Sequence, residues 1–60
     1  MNRLLDTEEA SAMLGVKKSW IEQRRMRNEG PPFVRIGRLI KYRECDLEAY
    51  VERNLVRENA

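Results

Sequence analysis

The chain holds 60 residues, 42% hydrophobic and 37% charged, which favours one folded domain over residues 1–60, near the lower limit of what a single core stabilises, and excludes a purely disordered polymer. The absence of His and the single cysteine, Cys45, exclude an intrachain disulfide and make a poor zinc-finger ligand set. The formal net charge of +2 is segregated, with nine Lys/Arg against two Glu over residues 15–43 and acidic stretches on both sides, a field that a polyanion can use.

The first predicted element is a helix opening at Thr7 and ended by Gly15. Thr7 is placed to cap it, and Glu8 and Glu9 put negative charge at the positive end of its dipole. Ala10, Met13 and Leu14 follow at helical spacing as an inward stripe. Gly15 ends the helix where a left-handed backbone is inexpensive, and Val16 plugs the turn from inside.

The second helix begins at Lys17 or Lys18 and runs to Met26 or Arg27. Ile21 is its buried anchor, flanked by the aliphatic part of Arg24 or Arg25. Neither lysine caps well, so docking must set the start. Asn28 to Pro32 ends the helix, because proline removes donors and biases the preceding residue toward extended backbone.

Phe33 to Ile36 and Leu39 to Tyr42 read as two short strands around Gly37-Arg38, where Gly can take positive φ. Phe33, Ile36, Ile40 and Tyr42 compete for inward positions. The last helix starts near Arg43 or Glu44, with Asp46 favouring its dipole and Leu47, Tyr50, Val51 and Leu55 forming a stripe. Cys45 is expected to be a partly buried small side chain in this helix. Beyond Asn54 the helix frays, and 56–60 are expected to be a mobile tail. The fold class is therefore mainly α with a small β-hairpin, a winged helix-turn-helix in the order helix, helix, wing, helix. Leu4, Leu5, Ala10, Leu14, Val16, Ile21, Ile36, Leu47, Tyr50 and Val51 are expected to share its core.

With that core behind it, the second helix can present its other face to a major groove. Lys18, Ser19, Glu22 and Gln23, with Lys17 at the helix start, are the candidates for base edges. Gln23 suits adenine, and Glu22 suits cytosine N4 unless it pairs with Arg25 or Arg27. A solvated helix face is the plainer alternative for the group. Trp20 either packs against the wing or helix start, or meets sugar-phosphate, a thymine methyl or another protein copy. Arg24, Arg25 and Arg27 are candidate phosphate contacts, one of which could instead tie the wing to the helix. Arg35, Arg38 and Lys41 are expected to project from the wing, with Arg38 at the tip reaching farthest toward a minor groove or phosphate.

Several segments together carry a resemblance. Leu5-Asp6-Thr7-Glu8-Glu9-Ala10, Leu14-Gly15-Val16, Gly30-Pro31-Pro32-Phe33, Ile36-Gly37-Arg38, Tyr42-Arg43 and Asp46-Leu47-Glu48-Ala49-Tyr50 resemble the excisionase-type winged helix-turn-helix family. That family is related to the DNA-binding domain of the mercury-resistance-regulator superfamily. The similarity spans residues 4–52. It implies that the helix over 17–27 enters the major groove, that the wing around Gly37-Arg38 meets the adjacent backbone or minor groove, and that the final helix braces the fold. Lys17 stands where the family commonly has Ser or Thr, Trp20 where a smaller residue is frequent, and Arg24 where many relatives carry an aromatic.

The resemblance implies a sequence-specific double-stranded DNA-binding protein, first an excisionase that bends attachment-site DNA and directs an integrase toward excision. The alternative within the family is a small prophage-type transcriptional regulator. Copies bound side by side could cooperate. A protein-interaction module using Tyr50, Val51, Leu55 and Val56 is the reading from another class. An enzyme is not expected, nor is a cofactor, a metal or a small-molecule substrate. No apolar run approaches the ~20 residues of a membrane span, and Asp6 and Glu8 interrupt any secretory segment, so a cytoplasmic protein is expected.

Overall fold

The computed structural model describes residues 3–57; of the expected mobile tail, 58–60 lie outside the described residues, and Val56 and Arg57 are exposed chain without regular structure. The elements are β1 (Leu4–Leu5), α1 (Thr7–Leu14), α2 (Lys18–Met26), β2 (Val34–Ile36), β3 (Leu39–Arg43) and α3 (Glu44–Arg53). Three helices and a small antiparallel sheet in this order are a winged helix-turn-helix.

Asp6, not Thr7, caps α1. Its Oδ1 accepts from the Glu9 N–H at 2.7 Å while Glu9 Oε1 accepts from the Asp6 N–H at 3.1 Å. This reciprocal pair satisfies two donors that the helix start leaves free. Thr7 has Ala10 three residues on and cannot complete such a box. Its hydroxyl accepts instead from Arg25 at 3.3 Å.

Both helices that build the turn end in the same way. Gly15 takes φ +72, its N–H reaches the Ala12 carbonyl at 3.2 Å, and Val16 N–H reaches Ser11 at 3.0 Å. This is the Schellman pattern. At the end of α2, Asn28 takes the left-handed conformation at φ +57, with Asn28 N–H bonded to Arg25 at 3.1 Å and Glu29 N–H to Arg24 at 2.8 Å. The second helix thus ends at Met26, with Arg27 as its cap and Asn28 as the left-handed stop, before the Gly-Pro-Pro run. Lys17 is extended and makes no side-chain cap, as its chemistry implies.

The hairpin has a third strand that the sequence did not suggest. β3 lies between β1 and β2, with Leu4 opposite Arg43, Leu5 opposite Tyr42, Val34 opposite Lys41, Arg35 opposite Ile40 and Ile36 opposite Leu39. Gly37 has φ +60 and Arg38 does not share the positive sign, the pattern of a two-residue type II′ turn. Opposed residues share a face and neighbours alternate. Leu5, Ile40 and Tyr42 therefore face the helices, with Arg35 beside them, while Leu4, Ile36, Leu39 and Lys41 face out.

The fully buried apolar residues are Leu5, Ala10, Ile21, Tyr42 and Leu47, one each from β1, α1, α2, β3 and α3. Leu14, Trp20, Phe33 and Ile40 pack partly against them. This corrects the expected core. Leu4, Ile36 and Val51 are about half exposed, as are Met13 and Leu55, because sheet parity or helix rotation turns each outward. Tyr42 replaces them at the centre, and its ring meets Phe33 with centroids 6.2 Å apart. Ser11 is also buried, its hydroxyl donating to the Glu8 carbonyl at 2.7 Å.

α3 begins directly from β3. Arg43 donates twice to Asp46, at 2.7 and 2.9 Å, and the Glu44 N–H donates to the Arg3 carbonyl at 2.9 Å. Hydrogen bonding to Asp46, then its charge, raises the Arg43 pKa above its ordinary value. Cys45 is exposed rather than partly buried. No helix among the described residues is long and apolar enough to cross a membrane.

Candidate nucleic-acid interface

The turn from Gly15 to Lys17 makes α2 cross α1, and Ile21, 1% exposed, seats it. At about 100° per residue, Ser19 and Gln23 point about 160° to either side of Ile21, Met26 about 140° and Glu22 about 100°. Ser19, Gln23 and Met26 are indeed exposed and Glu22 is half-buried. This outward face is the candidate for base edges.

Met26 was missed in the sequence. It is 86% exposed, the most exposed large apolar side chain among the described residues. Counting seven positions from Ser19 and three from Gln23 would have found it on the same face.

The two flanks of α2 have different neighbours. On one flank, Arg25 donates to the Tyr42 hydroxyl at 3.0 Å and to the Thr7 hydroxyl at 3.3 Å, and its guanidinium lies 5.9 Å from the Phe33 ring centre. Arg25 is therefore the cation that ties the helix to the base of the wing, not a free candidate for phosphate. Lys18 lies on this flank and Lys17 just precedes the helix; both are exposed. On the other flank, Trp20 lines a groove of about 330 Å³ with Leu14, Val16, Tyr50 and Leu55. It packs toward α3 rather than the wing. Arg24 sits 4.9 Å over the Trp20 ring and pairs with Glu29 at 2.8 Å. Glu22 makes no ion pair with Arg25 or Arg27 among the described residues.

The wing cations separate as well. Arg35 is on the helix-facing side, 5.7 Å from the Phe33 ring centre, whereas Lys41 is on the outward side opposite Val34. They do not project together. Arg38 is at the turn, exposed and clear of both faces. From Tyr42, where Arg25 anchors the wing, four residues at about 3.3 Å each put the tip about 13 Å out.

Lys17, Lys18, Arg27, Arg38 and Lys41 make no ion pair or hydrogen bond through their side chains among the described residues. These cations keep their charge available, while Arg24, Arg25 and Arg43 spend theirs within the fold. A helix of this diameter fits a major groove about 12 Å wide. Among the described residues no group of three or more His, Cys, Asp or Glu is placed to hold a metal ion.

Residues 4–55 match a family described as a helix-turn-helix domain. Among curated proteins and solved structures, none matches the chain.

Proposed function

Given that the chain belongs to the excisionase-like helix-turn-helix family of DNA-binding domains, we propose that it binds a specific duplex sequence and acts as an excisionase, a directionality factor for an integrase. The observation that carries the reading is the pairing of an outward α2 face with a wing held to that helix through Arg25. Ser19, Gln23 and Met26 read base edges in the major groove. Lys18 and Arg27, on opposite flanks of that face, meet the phosphates on its two sides. Lys17 adds charge at the helix start, Arg38 reaches the neighbouring minor groove or backbone, and Lys41 supports it. Arg24, Arg25 and Arg35 position these groups.

An architectural role suits a chain whose described residues carry unpaired cations on one surface and an apolar groove on another. The groove beside Trp20 and the exposed Val51 and Leu55 supply the surface for contacts between copies bound side by side, or with the integrase.

Selection from a pool of random duplexes at fixed salt tests the reading. The selected sequence should recur, and it should footprint within an attachment site. Adding the protein to the cognate integrase should then shift recombination toward excision. Recurrence of a promoter sequence alone would make the protein a transcriptional regulator instead. Failure to enrich any sequence would refute specific binding.

A further inference from the structure

A hairpin that rests one face on a core ordinarily turns polar side chains outward. This wing does not. Ile36 and Leu39 flank the turn, sit directly opposite each other on the outward face, and are 49% and 60% exposed. Arg38 lies between them in sequence, and Lys41 shares their face. From Gly30 to Arg43 the chain carries four cations and no acid.

We propose that Ile36 and Leu39 form an apolar wedge that enters a minor groove beside Arg38 and leans into a base step, so that the wing kinks the duplex it binds. The proposal rests on the DNA-binding reading above and adds the two side chains that produce the bend. Charge selects the occupant, since the surrounding cations favour a polyanion. Size agrees with it. Two half-exposed side chains fall far short of the roughly 800 Å² per partner of a stable protein interface, but they match the few apolar side chains that pry open a base step.

Dimensions say why such a wing must deform what it enters. Paired strands lie about 4.8 Å apart before side chains are added, and the B-form minor groove is only about 6 Å wide. The tip of the ribbon enters only if the groove opens. Apolar insertion opens it by unstacking a step and bending the duplex toward the major groove.

The test uses the full chain and the duplex recovered by random selection. One 2-aminopurine at a time is walked through the tract beside the helix footprint, and end-to-end energy transfer reports the bend. The parent protein should raise 2-aminopurine fluorescence at one step and bend the duplex, within the roughly 20–90° range of wedge-kinked complexes. Ile36→Thr with Leu39→Thr, chosen to retain strand propensity, should still bind with an unchanged salt slope. It should lose the fluorescence rise and at least half the bend.

Absence of any fluorescence rise with the parent protein would overturn the wedge, whatever the variant does. So would a double variant that keeps the full bend, or one that loses only self-association measured by sedimentation without DNA. In all three outcomes, duplex binding with a normal salt slope leaves the DNA-binding reading standing. Failure to select a duplex at all would remove both.

Discussion

Replacing Arg25 with Ala tests whether this residue holds the wing or touches phosphate. The lost interactions are a 3.0 Å bond to the Tyr42 hydroxyl, a longer 3.3 Å bond to Thr7, and contact with the Phe33 ring. The first is worth about 1–1.5 kcal/mol as a bond from a half-buried charged donor, and the ring contact about 0.5–1 kcal/mol. The Thr7 bond adds little at its length. Tyr42 is 1% exposed, so losing its partner adds part of a desolvation cost of about 1–3 kcal/mol. A loss of about 2–3 kcal/mol follows, or about 10–20 °C in Tm for a domain of this size. Tyr42→Phe removes only the hydroxyl bond and should cost about 1 kcal/mol, with a coupling to Arg25→Ala of about 0.5–1.5 kcal/mol. Urea unfolding of both single variants and the double variant supplies the cycle. DNA affinity of Arg25→Ala should fall through loss of wing orientation, with the salt slope nearly unchanged. Unaltered stability together with a slope shallower by about 0.9, the signature of one lost phosphate contact, would refute the strut and make Arg25 a DNA ligand.

Lys18→Ala and Arg38→Ala should each leave unfolding unchanged while weakening duplex binding and lowering the salt slope by about 0.9; titrations at several salt concentrations check this. Gln23→Ala should reduce discrimination between the selected site and its point variants by about 1–3 kcal/mol at one base pair, whereas equal losses on selected and random duplexes would remove its base-reading role. Asp6→Ala should destabilise the fold by about 1 kcal/mol in urea, and Thr7→Ala should cost less; the reverse order would return the cap to Thr7. Gly37→Ala should cost about 1–2 kcal/mol because φ +60 strains any Cβ, although open space around the position means no clash is involved.

The helices were legible because their signals are local. Gly15, the Lys17-Lys18 start and the spacing around Ile21 fix α1, the turn and α2 without reference to the rest of the chain. The hairpin was legible for the same reason, since Gly37 marks its turn. Its facing was not. Ile36, Leu39, Ile40 and Tyr42 make both faces apolar, and only the two-residue turn decides which pair lies inside. β1 was invisible because two leucines cannot display an alternation; the strand exists through pairing with Tyr42 and Arg43, far away in sequence. At the candidate site, the outward face of α2 followed from rotation about Ile21, and Met26 followed equally but was passed over. Which arginines remain free was only partly readable from spacing. Arg24 has Trp20 four residues back on the same helix and Glu29 five residues on, which spacing could have shown, whereas only tertiary neighbours assign Arg25 to Phe33 and Tyr42.

That assignment explains how so small a chain fixes a two-part binding surface. β2 contributes no fully buried residue, so the main core grips the wing through β3, where Tyr42 is buried and Ile40 packs beside it. Phe33, Arg25 and Tyr42 complete the link to α2, through the Phe33–Tyr42 and Arg25–Phe33 ring contacts and one Arg25–Tyr42 hydrogen bond worth about 1 kcal/mol. β2 and its turn, which hold no fully buried residue, are therefore the part of the wing closest to local opening, and a duplex that engages both α2 and Arg38 selects their docked state. Binding at a hundred times Kd adds about 2.7 kcal/mol to the stability of that state, comparable to the whole strut. Loss of Arg25 should accordingly be felt most in the free protein, and saturating duplex should restore much of the lost Tm, provided the bound contacts of α2 and Arg38 survive.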